Sequence, residues 1–419
     1  MNHPKMQAHP KMRYTYVGVD SHKATHTAVF LDCFFEKSGE ITFANLPSDF
    51  PAFLAKADKL KLAGTTLLFG LEDTSSYGRL LAMFLLENGQ KVKHVNAFLV
   101  ARERKAQTTT QKTDSVDAEC AARVLLSKFG DLPDADPQEK YWILRTLVVR
   151  RDFIVKNNIS LKNHLHSLLT QHYPNYRKFF TETFGKTAMV FFERFPSPST
   201  LKDVTVQELA VFFSGLSYGR LGTARAEEIL GSLQDTTVPF QEIRDEAVRS
   251  TLRQVEANFD EIKKMDTTIA QFLEHFDCTL TTMPGLDTVS AAQMLSCIGD
   301  IKRFSTSAKL ARYSGIAPVT YASGQKDQQF ANQRGNRELN ASFHLLAVRL
   351  IGTIGVNKKV TSPHFYAYYH RKLSEGKTKM QALKCVQRRL VNIIWGMLTH
   401  SKPYKMPEMI DKPEEEMIQ

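Results

Sequence analysis

The chain has 419 residues, 42% of them hydrophobic, and a formal net charge of +11 at pH 7. That length is enough for two or three domains with ordinary hydrophobic cores. Because no apolar run is long enough to span a bilayer and the N-terminal residues lack the apolar core of a signal peptide, we expect a soluble protein that stays in the cytoplasm.

After a basic tail at 1–13, the next part of the chain has the pattern of an α/β sheet. Apolar runs predict five strands, at 14–20, 25–31, 41–44, 65–71 and 91–95. Helices are predicted after the third and fourth strands, near 51–62 and 77–87. Three strands that can form a meander, followed by alternating helix and strand, predict a sheet of mixed direction with the order of an RNase H-like fold. In such a sheet the first strand is central.

Four carboxylates stand at the ends of these elements. Asp20 ends the first strand, Glu72 follows the fourth, and Asp114 and Asp117 lie three apart at the start of a predicted helix. Residues three apart share a helix face, so the last two can point at one site. Oxygen ligands from separate elements are what Mg²⁺ requires for in-line displacement at phosphorus. The alternative is structural: each Asp is also a common turn or helix-capping residue.

The middle of the chain, 138–277, is predicted to be helical after a connection at 130–137. From Leu252 to Phe276 the apolar residues recur every three or four positions, which is the spacing of a helix-packing seam. The partner is either the segment 142–169, antiparallel to it, or a second copy of the chain, and a plain core-facing helix fits equally well. Between these helices, 179–240 is predicted to be a less regular insert.

Two segments are strongly basic. Residues 302–389 contain 17 Lys and Arg against three acids, and residues 140–178 contain eight against one. Tyrosine, tryptophan and phenylalanine lie among these charges. A basic surface with interleaved aromatic side chains favours a polyphosphate partner with exposed bases, although charge runs are also common on solvated faces.

Two motifs in the C-terminal part point to phosphate binding. Residues 283–295 resemble the hairpin of a helix-hairpin-helix element, in which Gly285 would let backbone N–H groups approach a phosphate. Asp287 stands where that motif usually has a second glycine, and it can instead cap a helix. Further on, Asn336 can cap a helix that runs to 351, with Arg334 and Arg337 around its N-terminus. A serine beside such a cationic seat could attack phosphorus.

Together these residues resemble the DEDD transposases of bacterial insertion sequences, relatives of the Piv DNA invertase. The resemblance is carried by the four acids, by Pro284 with Gly285, and by the segments 315–324 and 334–337. It implies a RuvC-like domain at 14–130, a helical, coiled-coil-like region at 138–277, a mainly helical transposase domain at 278–400, and a tail at 401–419.

The resemblance also implies an activity and partners. In such enzymes the acid tetrad binds Mg²⁺, for which Mn²⁺ can substitute, and a serine forms a transient phosphoserine link to DNA. By position in the motif that serine is Ser323, and Ser314 ranks second. Family members recombine double-stranded donor and target DNA, pair with a non-coding bridge RNA, and assemble into dimers and tetramers. A bacterial, nucleoid-associated location follows.

Two other classes remain open on the sequence. One is a RuvC-like endonuclease or Holliday-junction resolvase, in which the acids would activate water and Ser323 would be dispensable. The other is a DNA- or RNA-binding protein whose metal site is degenerate.

Overall fold

In this computed structural model the described residues are 9–74, 76–107, 111–135, 137, 139–217, 221–233, 239–323, 326–330, 332, 335–354 and 359–406. The chain forms two compact units. The first combines Met1–Ile143 with Cys297–Gln419, and the second is Leu144–Ser296. Within the described residues, no helix has both the length and the apolar character needed to cross a membrane.

The first unit is built on a five-stranded sheet of order β3-β2-β1-β4-β5. The strands are β1 (Tyr14–Ser21), β2 (Thr25–Leu31), β3 (Lys37–Ala44), β4 (Thr66–Leu71) and β5 (Lys91–His94). Strands β1, β2 and β3 form an antiparallel meander, whereas β4 runs parallel to both β1 and β5. The predicted mixed sheet with a central first strand is therefore confirmed, and the fold is RNase H-like α/β.

Helices cover both faces of this sheet. They are α1 (Phe50–Leu60), α2 (Arg79–Glu87), α3 (Ala97–Ala106) and α4 (Asp114–Lys128). Odd-numbered residues of β1, Val17 and Val19, are buried with α1 and α2. Even-numbered residues face the other way, since Tyr16 is buried with α3 and α4. Because strand side chains alternate, Asp20 belongs to the same face as Tyr16 and α4.

Helix α4 approaches β1 so closely that no side chain fits between them. A Cβ atom added at Gly18 would lie 2.2 Å from both the Ala118 carbonyl oxygen and the Ala122 nitrogen. These are backbone atoms, which cannot move aside as a flexible side chain would. The glycine in the strand and the small residues on the helix therefore fix where the N-terminus of α4 lies relative to the end of β1.

The second unit is helical. It contains the greater part of α5 (Glu139–His172), then α6 (Lys186–Arg194), α7 (Val206–Ser217), α8 (Thr223–Gly231), α9 (Gln241–Leu273) and most of α10 (Thr288–Ile298). Arg151 of α5 pairs with Asp266 of α9, and the Lys162 ammonium lies 4.3 Å from the centre of the Phe259 ring. From the first of these contacts to the second, the residue number increases along α5 and decreases along α9, so the two helices run antiparallel. The predicted seam of α9 therefore has the segment 142–169 of the same chain as its partner in this structure.

The segment 179–240 is more regular than predicted. Helices α6, α7 and α8 enclose a core rich in aromatic side chains, where Phe191 and Phe213 stack at 5.7 Å between ring centres. A buried polar cluster closes one side of it: Ser197 donates to Asp245 at 3.0 Å, and His172 Nδ1 donates to the Pro196 carbonyl at 2.8 Å. The segment was predicted to be less regular than the long helices, and its short helices, separated by Pro and Ser turns, are held by long-range contacts that leave little periodicity.

The remainder of the first unit consists of helices and two hairpins. The helices are α11 (Ser307–Tyr313), α12 (Arg337–Ile351), α13 (Pro363–Ser374) and α14 (Lys379–His400). The hairpins are β6 (Val319–Ser323) with β7 (Lys326–Phe330), and β8 (Thr353–Ile354) with β9 (Lys359–Val360). Helix α14 is tied to the segment before α11 by the Trp395 indole, which donates to the Phe304 carbonyl at 2.8 Å. The C-terminal part is mainly helical, as predicted.

We predict that Gly18→Ala lowers the free energy of unfolding by about 3 kcal/mol or more, because the new methyl group would overlap the backbone of α4. Chemical denaturation monitored by circular dichroism measures this. Gly130→Ala is the matched control, since a Cβ atom there meets nothing within 4 Å. It should change the unfolding free energy by about 0.5 kcal/mol or less. Equal stability of the two variants would show that α4 is not held against Gly18.

Candidate active site

The parallel register of β1 and β4 brings the first two acids together. Val19 pairs with Leu71, so Asp20 and Glu72 are the next residues along two adjacent strands. Because side chains alternate along a strand, Asp20 and Glu72 both occupy positions on the α4 face of the sheet, opposite to Val19 and Leu71. Asp20 is buried, with 8% of its surface exposed. The sequence prediction that these two carboxylates meet at one edge of the core agrees with this register.

The other two acids come from the first turn of α4. Thr113 is the N-cap of that helix, and its hydroxyl accepts a hydrogen bond from the Val116 N–H at 3.3 Å. Neither Asp114 nor Asp117 therefore acts as the cap, which removes that alternative reading. Ser115 anchors the turn by donating to Glu40 of β3 at 2.6 Å.

The pKa values of Asp20 and Glu72 are raised by burial and by neighbouring carboxyls. Burial raises the pKa of Asp20, and the negative charges of Asp117 and Asp114 raise it further, opposed by His22. Burial likewise raises the pKa of Glu72, to which Asp20 and Asp117 add. Asp20 and Glu72 are thus harder to ionise than usual, which is a situation that a bound cation would relieve.

Two basic side chains lie among these acids. His22 Nε2 is 3.1 Å from Asp20 Oδ2 and 3.2 Å from Asp114 Oδ1. Those three ligand atoms lie within 4.8 Å of one another, close enough to share a metal ion. Arg104 of α3 pairs with Asp117.

The sequence patterns had singled out neither His22 nor Arg104. A histidine two residues after a strand acid was the available signal for His22, since alternate residues of a strand share a face. For Arg104 the sequence offered no such signal, because an arginine on a polar helix is an ordinary surface residue.

The helix-hairpin-helix-like element has a sharp turn at Gly285, whose φ is +82°. Asp287 caps α10, because its carboxylate accepts a hydrogen bond from the Ser290 N–H at 2.7 Å. This is the capping role considered from the sequence.

A second close approach lies at the base of the β6–β7 hairpin. A Cβ atom at Gly335 would lie 2.2 Å from the Gly315 nitrogen, and Gly315 itself has a φ of +69°. The Asn336 N–H donates to the Tyr313 carbonyl at 2.7 Å, and the Asn340 amide donates to the Ser314 carbonyl at 2.8 Å. The two ends of the hairpin segment are therefore clamped together.

The structure separates the two candidate serines. Ser314 is fully buried at this clamp, and its hydroxyl donates to the Ala311 carbonyl at 3.2 Å. Ser323 ends β6, where its backbone pairs with Lys326, while its side chain lies outside the described residues. A buried, hydrogen-bonded hydroxyl is a poor nucleophile, so the geometry disfavours Ser314.

The predicted phosphate-binding site at the N-terminus of α12 lies only partly within the described residues. Asn336 caps α12 by accepting a hydrogen bond from the Leu339 N–H at 2.9 Å, as predicted. Its amide also donates to the Tyr313 hydroxyl at 3.2 Å, so this side chain holds the clamp. Arg337 is exposed at the start of the helix. Arg334 lies outside the described residues.

Comparison with known proteins matches both parts of this arrangement. Residues 17–174 match the model of DEDD transposases of the IS110 type, and residues 278–370 match that of the IS116/IS110/IS902 transposase family. The chain belongs to the insertion-sequence transposase family. The first match contains all four acids, and the second contains the clamp and the hairpin.

Individual relatives agree with this assignment. The transposase is 26% identical to a 44.8 kDa protein of insertion element IS116 from Streptomyces clavuligerus, over 91% of this chain and 94% of the relative. It is 26% identical to a 43.6 kDa protein of insertion element IS110 from Streptomyces coelicolor, over 94% and 97%. It is also 29% identical to the pilin gene-inverting protein of Moraxella bovis, over 35% of this chain and 45% of that protein.

We predict that Glu72→Gln stabilises the transposase when no metal is bound, because it removes one of several like charges that lie close together. In a chelating buffer at pH 7 the Tm should rise by roughly 2–4 °C, the effect of about 1 kcal/mol in a domain of this size. The wild-type carboxyl has a pKa above its unfolded value, so its ionisation costs stability as the pH rises. The gap between variant and wild type should therefore widen above pH 4.5, the ordinary value.

Asp131→Asn is the control for this measurement, since Asp131 is an exposed acid of the same unit. Its Tm should stay within about 1 °C of wild type at every pH. A Tm for Glu72→Gln that falls in the chelating buffer would contradict the crowding of like charges.

Proposed function

We propose that this transposase moves an insertion sequence by cleaving and rejoining DNA strands through transesterification, with a serine as nucleophile and a divalent cation at the acid tetrad. The observation that carries the proposal is the convergence of Asp20, Glu72, Asp114 and Asp117 where β1 and β4 end and α4 begins. The family match over both domains supports DNA as the substrate. The name of the Moraxella relative supports strand exchange rather than simple cutting.

The residues present fit a magnesium ion. The buried Asp20 carboxyl is flanked by three further acids, and such a set of oxygen ligands suits a hard cation. Asp20 and Asp114 would hold it first, since their oxygens already approach a common point. Glu72 and Asp117 would complete the set of ligands. To bind the cation, Asp117 would give up its ion pair with Arg104. Bound there, Mg²⁺ or Mn²⁺ supplies charge neutralisation for attacking and leaving oxygens at phosphorus.

Ser323 is the proposed nucleophile. Its Oγ would attack a DNA phosphorus, so that one P–O bond of the strand is replaced by a bond to serine and a DNA hydroxyl leaves. Attack by a DNA hydroxyl on the phosphoserine reverses this and joins new strands. Arg337, together with Arg334, would neutralise the phosphate during both steps, and Gly285 would contact the backbone elsewhere.

Further partners follow from the family resemblance. Donor and target are double-stranded DNA, and a non-coding bridge RNA pairs with both. The basic, aromatic-studded segments at 140–178 and 302–389 support polynucleotide binding. A dimer or tetramer is part of the same proposal. Its support is that Val149 and Phe153 of α5 stay 49% and 59% exposed after α5 has packed against α9.

The alternative is a RuvC-like endonuclease or junction resolvase. It rests on the same four acids, because a metal-bound water could replace the serine as nucleophile. The two mechanisms differ in whether the chemistry needs Ser323.

We predict that Ser323→Ala abolishes strand transfer, by about 10³-fold or more, while DNA binding stays within about twofold of wild type. Ser314→Ala is the matched variant, since that hydroxyl holds a structural contact. It should lower thermal stability and leave the rate per folded molecule nearly unchanged. Strand transfer and cleavage are measured on labelled donor DNA, with Mg²⁺ and after chelation.

The possible outcomes separate the proposed reactions. Cleavage retained by Ser323→Ala but lost after chelation would establish the nuclease alternative. Loss of strand transfer in Ser314→Ala alone, with the fold intact, would move the nucleophile to Ser314. Activity that is equal with and without chelator would remove the metal from the mechanism.

The bridge RNA has a test of its own. We expect purification of the protein from cells that carry the whole insertion sequence to recover one discrete RNA, identified by sequencing. A matched purification after ribonuclease treatment should recover protein that no longer transfers strands. Recovery of heterogeneous cellular RNA alone would indicate only nonspecific binding through the basic segments.

A further inference from the structure

His22 is held in place on both sides of its backbone. Its N–H donates to the Thr25 carbonyl at 3.0 Å across the β1–β2 turn, and its carbonyl accepts from the Asn45 amide at 3.2 Å. It lies just beyond the end of β1, two positions after Asp20, and its imidazole reaches α4, since Nε2 is 3.2 Å from Asp114 Oδ1. The backbone therefore presents the imidazole to the acid site in a fixed direction.

The imidazole is the side chain that joins the strand acid to a helix acid. One nitrogen, Nε2, lies 3.1 Å from Asp20 Oδ2 and 3.2 Å from Asp114 Oδ1. The side chain is 52% exposed, so it can move slightly without disturbing the core. A nitrogen that two carboxylates already approach can either donate a proton to them or, as the neutral base, join them in binding a cation.

We propose that His22 ligates the divalent cation through Nε2, together with Asp20 and Asp114, which makes the site a mixed nitrogen and oxygen site. This inference rests on the proposed function, because it assumes that the acid tetrad binds a cation. It adds a nitrogen ligand to the four carboxylates. Imidazole suits transition metals better than Mg²⁺, so His22 should make the site prefer Mn²⁺.

The competing role for His22 is that of a counter-cation. In that case a protonated imidazole would neutralise Asp20 and Asp114 only while no metal is bound, and it would be displaced when the metal arrives. The two roles differ in one observable, the presence of nitrogen in the coordination shell.

Pulsed electron paramagnetic resonance on the full-length protein with one equivalent of Mn²⁺ tests the inference. Wild type should show modulation from a directly coordinated nitrogen, shifted in frequency when histidine is labelled with ¹⁵N. His22→Gln and His22→Ala should lose this modulation. His164→Gln is the matched control, since His164 is an exposed histidine of the other unit, and it should keep the modulation.

Calorimetric titration gives a second readout. His22→Gln should weaken Mn²⁺ binding by about tenfold or more while Mg²⁺ binding changes by about threefold at most. Mn²⁺ bound without nitrogen modulation, or modulation that survives in both His22 variants, would overturn the inference and leave the proposed function standing. Mn²⁺ binding that is absent, or unaffected by Asp20→Asn and Asp114→Asn, would overturn the proposed metal site and the role of His22 together.

Discussion

The contact between Gly18 of β1 and the backbone of α4 is the constraint on which the acid site depends. In a strand with any larger residue there, the Cβ atom would lie 2.2 Å from backbone atoms of α4, so the helix would have to move away. Asp114 lies one turn before Ala118, whose carbonyl lies against the glycine, and Asp117 immediately precedes Ala118. Their distance from Asp20 is therefore set by packing on the neighbouring turn, and a glycine with no chemistry of its own determines the geometry of the site.

That packing brings together groups that repel one another. Four carboxyls share the end of two strands and one helix turn, and burial together with these neighbouring charges raises the pKa of both Asp20 and Glu72. The guanidinium of Arg104 pairs with Asp117, and His22 Nε2 lies between Asp20 and Asp114. Under the proposed function, a divalent cation would relieve this repulsion on binding, so stability without metal and metal affinity would oppose each other at these positions.

Much of this site was predictable because its elements follow local rules. A buried strand ends at Asp20 and another at Glu72, and parallel strands place such ends side by side. The pairing of Arg104 with Asp117 was not predictable, because its two partners come from different helices and nothing in the sequence around an arginine specifies its partner. The seam of α9 had the correct period, yet spacing alone cannot distinguish a partner in the same chain from one in another. In 179–240 the stabilising contacts join aromatic residues far apart in sequence, so local patterns could not reveal them.

The two halves of the proposed mechanism are built in different ways. The acids come from the central strands and a packed helix, where neighbouring elements determine each position. Ser323 instead ends a two-stranded hairpin whose base is fixed by the approach of Gly315 to Gly335 and by hydrogen bonds from Asn336 and Asn340.

Asn340 is in turn held by Lys384 of α14, whose ammonium donates to it at 3.2 Å and whose pKa is lowered by burial. Like charges tolerate little displacement before a shared cation is lost, so the acid site needs a stiff scaffold. A nucleophile that must meet a phosphate positioned by other residues needs a defined base and direction, which a clamped hairpin provides.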